Sequence, residues 1–224
     1  MENKKDFKPK IITVDEPIDA STLELVSTNT FAFISSVPEI DDSNFLLDFS
    51  ELLSDIKTKG MVFNYNNDSR DVLAGKIARK FGPLSDVYLP FKAFNKEALV
   101  DEDGDEVVPV ISEPTQKAYG LSAFYKYKNP KDENGKIKFN ELGEFIKKFT
   151  ARDVHLLMGG KCVTKVKFLM VYTLDDCETT AEIDFKKTGS ASFMIKLACE
   201  LGIPVFNLHK KDRINDLSTY LKTI

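Results

Sequence analysis

Tryptophan is absent from the chain, histidine occurs twice and cysteine three times. Cys162, Cys177 and Cys199 are odd in number and lack the spacing of a metal or redox site. They therefore argue against a disulfide scaffold or a zinc cluster, and they suit a reducing cytoplasm. No apolar run approaches the roughly 20 residues that cross a bilayer, so no membrane partner is expected. The opening MENKKDFKPKIITVDEP is charged and has no apolar h-region, so it reads as a frayed or partner-bound arm and not as a secretory signal. Also missing are repeats with a period of about 20–50 residues and low-complexity tracts. There is no large excess of either charge: 31 Lys and Arg face 35 Asp and Glu, a formal −4. That balance argues mildly against a protein that coats nucleic acid.

What is present is an ordinary globular composition, 42% hydrophobic over 224 residues, enough to bury one full core. We read residues 1–28 as an N-terminal arm, and 29–224 as a single domain with an insertion at 92–139. The arm holds one candidate strand, at Ile11–Val14, either an edge strand or a segment laid over the body. Strands are predicted at 30–36, 61–65, 86–91, 166–173 and 203–206. Between them fall a helix N-capped by Ser43, a short helix begun by Asp71 and ended by Gly82, a helical stretch over 140–159, and the FMIKLACELG helix. A last helix is capped by Asp212. This alternation predicts an α/β domain with a doubly wound, mostly parallel five-stranded sheet in the order 3-2-1-4-5. Helices cover both faces, crossovers are right-handed, and the insertion is a loop and hairpin region. The hairpin is expected around Asn134-Gly135, with Tyr125–Lys128 either on its faces or forming a small basic-aromatic surface for nucleic acid.

In such a sheet the ligand crevice lies beyond the carboxyl ends of the first and fourth strands. The small-residue turn Thr188-Gly189-Ser190-Ala191-Ser192 precedes a helix there. It is either an anion cradle of free amides and hydroxyls or a tight connection capped by Ser190 or Ser192. Arg152 could clamp a phosphate from the end of its helix, or pair with Asp153 at the surface. His155 has no identifiable nucleophile or carboxylate partner, so no triad is expected. The carboxylates at 101–106 lack EF-hand spacing, and those of Asp175, Asp176, Glu178, Glu182 and Asp184 are irregular; both loops read as solvated acidic loops. His209, Lys210, Lys211 and Arg213 form a small basic cluster.

Four segments, in order, carry a family resemblance: Phe33-Ile34-Ser35-Ser36-Val37-Pro38; Val87 through Asn95; Thr150-Ala151-Arg152-Asp153 with the following LLMG; and Lys187 through Leu208. The second is similar to a "YLPW..FN" motif, the third to "ARN…LG", and the fourth to "TGGT…A…A…GIPVFNL". Together they span about 150 residues. They resemble the Rossmann-like superfamily of the DNA-processing protein A fold and the cytokinin-activating "Lonely Guy" proteins (SLOG-like), closest to small stand-alone phage or bacterial members. The resemblance implies a Rossmann-like sheet that binds a nucleotide or nucleotide-derived ligand at its switch point. Ser35 and Ser36 would form the floor, Arg152 the clamp, and Thr188, Gly189, Ser190, Ala191 and Ser192 the donors.

The departures are specific. Where the family has Gly-Gly-Ala-x-Gly-Ala-Asp, this chain has Asn66-Asn67-Asp68-Ser69-Arg70-Asp71, without glycine. Arg70 there either replaces the missing backbone cradle or makes a surface pair. Asp71 either matches the closing Asp or caps a helix. Val37 stands in place of an anion-binding Arg, and the phosphoribohydrolase "PGGxGTxxE" motif is absent. No catalytic residue, metal ligand or cofactor is therefore assigned, and binding without strong catalysis is expected. The other readings are a scaffold protein with a decayed pocket, or a single-stranded DNA-binding protein. A protein partner would use 92–139 or the arm. The expected compartment is the cytoplasm, that of the bacterial host if the chain is phage-encoded.

Overall fold

The computed structural model describes residues 12–16, 18–20, 23–37, 40, 42–66, 72–92, 94, 109–127 and 131–224. Its elements are β1 (Val26–Ser27), β2 (Thr30–Ser35), α1 (Ser43–Thr58), β3 (Val62–Tyr65), α2 (Val72–Phe81), β4 (Ser85–Val87), α3 (Gln116–Lys126), α4 (Glu144–Met158), β5 (Thr164–Lys165), β6 (Phe168–Tyr172), α5 (Ser192–Glu200), β7 (Val205–Asn207) and α6 (Arg213–Leu221). Five strands form one all-parallel sheet in the order β4-β3-β2-β6-β7. This is the expected 3-2-1-4-5 order, with its reversal between β2 and β6.

The period of a strand sorts its side chains to two faces. Phe31 and Phe33 of β2 point to one side with Phe63, Phe168 and Met170, under α1, α2 and α6. Ala32 and Ile34 point to the other with Leu169 and Val171, under α3, α4 and α5. On the first face Phe31 stacks on its register partners Phe63 and Phe168, with ring centroids 5.1 and 5.6 Å apart. Burying each ring contributes roughly 1.5–3 kcal/mol. That aromatic layer closes one side of the sheet; the candidate site lies on the other.

Several local expectations are corrected. Asp42, not Ser43, caps α1: its backbone is extended and its carboxylate accepts the Asn44 and Phe45 amides at 3.0 and 3.1 Å. Ser43 already lies within the helix. Asp212 precedes α6 with φ +65°, and its side chain makes no capping bond. Tyr125 and Lys126 are the last turn of α3, a helix inside the insertion, and not a hairpin strand. The short Tyr-Lys alternation imitates a strand, but Ala118, Tyr119, Leu121, Ala123 and Tyr125 are buried in the cluster that α4 and α5 share. Thr115 caps this helix by accepting the Ala118 amide. The turn at Asn134-Gly135 exists, with Gly135 at φ +77° and Asp132 accepting the Asn134 and Lys136 amides. Among the described residues, one antiparallel bridge, Lys131–Ile137, accompanies it.

Of the arm's candidate strand Ile11–Val14, the described residues 12–14 are laid over the body. Ile12 and Val14 donate their amides to Glu144 and Asn140 at 3.0 and 2.8 Å. The Lys147 ammonium, buried on α4, donates to the Ile12 carbonyl and to Glu144. Further along, β1 pairs in parallel with β5. The acidic run at 101–106 and residues 128–130 lie outside the described residues. Among the described residues, no helix is long and apolar enough to cross a membrane.

Candidate functional site

In an α/β sheet each helix returns from the carboxyl edge of the strands, so the starts of α4 and α5 both lie at that edge. Between them, closed on a third side by the end of α3, is a cavity of about 650 Å³. Its walls are Phe145, Ile146, Phe149 and Arg152 from α4, Lys126 and Tyr127 from the end of α3, and Gly189, Ser190, Ser192, Phe193 and Lys196 around the start of α5. Thr150 and Asp153 of α4, with Thr180, Ile183 and Phe185, complete the lining.

The turn before α5 is built by its neighbours. Gly189 has φ +57°, a conformation that costs glycine little, and a methyl group there would lie 3.5 Å from the Ser36 side chain. This sets the turn against the end of β2. Thr188 is fully buried: its hydroxyl donates to Asp175 and accepts the Asp184 amide. Asp175 is pushed up by burial, but hydrogen bonds from the Thr188 and Thr173 hydroxyls and from backbone amides outweigh this and hold its carboxyl below the usual range. The Ala191 amide donates to the Thr188 carbonyl, and the Ser192 hydroxyl to the Gly189 carbonyl. The amides of Gly189 and Ser190 make no hydrogen bond to any described residue. Both residues are exposed.

Arg152 is the cation nearest in role to the expectation, yet it is no surface residue: its side chain is 4% exposed. Nε and Nη2 donate to one carboxylate oxygen of Asp153 at 3.0 and 2.6 Å. The guanidinium lies 4.7 Å from the centroid of the Phe149 ring. Its Nη1 is buried, with no hydrogen-bond partner among the described residues. An unpaired buried donor costs about 1–3 kcal/mol, which makes Nη1 the group in this wall most in need of an acceptor.

The other candidates divide by position. Gly189, Ser190, Ser192 and Arg152 line the cavity, while Thr188 and Ala191 are buried beneath the turn. Ser35 and Ser36 do not reach the lining. The Ser35 hydroxyl bonds the Val37 backbone, and the Ser36 amide donates to the Tyr172 carbonyl, so they tie the ends of β2 and β6 together under the turn. Arg70 and Asp71 lie outside the described residues.

Groups outside the cavity are committed elsewhere. His155 is buried away from it, accepting the Thr115 amide at Nε2 (3.1 Å), so that Nδ1 carries the proton donated to the Gly159 carbonyl (3.0 Å). Burial lowers its pKa against a smaller opposing effect of that carbonyl. The loop after β6 is not simply solvated. Glu178 accepts Arg213 and the Asn207 amide, His209 pairs with Asp176 at 2.7 Å, and Glu182 accepts the Glu178 and Thr179 amides. Part of the basic cluster thus pairs with the acidic loop: Lys210 and Arg213 with Glu178, and His209 with Asp176.

Sequence reasoning missed Phe145, Phe149 and Lys196, and weighed Lys126 only as part of a hairpin face or a basic-aromatic surface. Phe145, Phe149 and Arg152 are spaced i, i+4, i+7, one helical stripe that could have been noticed. Lys126 and Lys196 meet only through tertiary structure. No protein-family model, curated protein or solved structure matches this chain, so the site is read from its own geometry.

Proposed function

We propose that the protein binds a nucleotide or nucleotide-derived ligand in this cavity, as a Rossmann-like protein of the superfamily its motifs resemble. It acts in the cytoplasm, the host's if the chain is phage-encoded, and without strong catalysis. The carrying observation is that Arg152 lines an open cavity and keeps one buried donor, Nη1, without an acceptor among the described residues. The unused amides of Gly189 and Ser190 border the same space and suit one anionic group. Phe145, Phe149 and Phe193 offer flat apolar walls to a planar base.

Isothermal titration against a panel of nucleotides tests this. Saturable heat with at least one member is expected, and the affinity is weakened in R152Q/D153N, which removes the clamp without stranding a buried carboxylate. No heat with any member rejects the reading. A second reading, a surface for a protein partner, is favoured by Phe145, Ile146 and Phe185 at the cavity rim, which are 57%, 47% and 80% exposed.

A further inference from the structure

We propose that this cavity holds a second anion subsite, formed by the ammonium groups of Lys126 and Lys196 beside Phe193, so that its ligand carries two separated anionic groups. The inference rests on the reading of the cavity given above.

Both lysines line the cavity. Lys126 ends α3 and Lys196 lies in α5; the Lys196 ammonium donates to the Lys126 carbonyl at 3.0 Å, which ties the two helices together. The Lys126 ammonium sits 5.5 Å from the Phe193 ring centroid and makes no hydrogen bond to any described residue. Neither lysine has a carboxylate within ion-pair distance among the described residues. The charged groups facing them from α4 are Arg152 and Asp153, and Asp153 is already bound by Arg152 at 2.6 Å. From the 180–193 segment, Glu182 turns back onto the Glu178 and Thr179 amides. Burial lowers the Lys126 pKa; Asp153 opposes this and Lys196 adds to it.

Two neighbouring cations, half removed from water and with no ion-pair partner among the described residues, are unfavourable as they stand despite the nearby Asp153 charge, and an anion placed between them relieves the repulsion. On the reading above, the first anion sits at the end of the cavity lined by Arg152, Gly189 and Ser190. A ligand with one charge would leave the lysine pair unanswered, whereas one with two charges on a flat body satisfies both groups.

Titration of the full chain with adenosine 5′-monophosphate and adenosine 3′,5′-bisphosphate tests this. Wild type is expected to bind the bisphosphate about tenfold or more tightly, as a charge-assisted hydrogen bond implies. In K126Q/K196Q the ratio of the two affinities falls to near one; K196R, which keeps the charge, retains the preference. R152Q/D153N weakens both ligands and leaves the ratio standing. Binding of the monophosphate with no bisphosphate preference, or a preference that survives K126Q/K196Q, overturns the subsite alone. Absence of binding by either nucleotide overturns the subsite together with the reading on which it rests.

Discussion

The carboxylate of Glu178, in the loop after β6, is held at both oxygens by Arg213 at the start of α6: Nε donates to Oε1 at 2.6 Å and Nη2 to Oε2. The same Oε1 accepts the Asn207 amide of β7 at 2.8 Å. Glu178 is 7% exposed and Arg213 27%, so water screens the pair only partly.

Removing one partner leaves the other charged and half-buried. E178A is expected to cost about 2–4 kcal/mol, less than a fully broken buried pair because Arg213 is partly solvated and keeps Asp216 at 2.8 Å. Urea unfolding measures it. E178Q should cost less, since it keeps an acceptor for the Asn207 amide. Equal stability of E178A and wild type would mean that the pair contributes nothing.

Stability should fall as the pH drops below about 6.5. His155 is held below its ordinary value by burial. From its ordinary value down to its folded value, the unfolded chain therefore binds the proton more readily, and each pH unit in that window costs up to about 1.4 kcal/mol. Unfolding at a series of pH values should show this slope, and H155Q should flatten it. Asp175, whose carboxyl is held low, acts separately: its contribution is present above the ordinary carboxylate value and is lost as the pH falls through the folded value.

Thiol labelling should separate the cysteines. Burial pushes Cys162 up to about 12 and Cys177 up to about 11, and both are buried while Cys199 is only partly so. At pH 8 in native buffer Cys199 is expected to react first and the others slowly, with all three reacting in denaturant. Fast labelling of Cys162 in the native state would contradict its burial.

Gly120 is where the arm meets α3. A methyl group there would come within 2.8 and 2.9 Å of Ile18 Cγ1 and Cδ1. Alanine favours a helix over glycine by about 1 kcal/mol, but the clash costs about 1–3 kcal/mol, so G120A is expected to destabilise slightly or loosen the arm. I18A/G120A should recover the difference, and a double-mutant cycle reads the coupling.

The strand order was legible because short apolar runs such as FLMVY suit a strand covered on both faces, and because they alternate with helical stripes. The turn at Gly189 was legible for the same kind of reason: a glycine between strand and helix marks where backbone must bend close to a neighbour. The helix α3 was not, since its last residues alternate as a strand would; only burial between α4, α5 and Ile18 decides its form. The sequence by itself thus determined the parallel sheet, its switch point and the polar turn there, because local periodicity and backbone chemistry act over a few residues. Tertiary structure alone decided that Arg152 is buried with one donor unanswered, that Lys126 and Lys196 meet, and that Glu178 closes on Arg213. Those properties come from exclusion of water by segments far apart in the chain, and no local pattern encodes that.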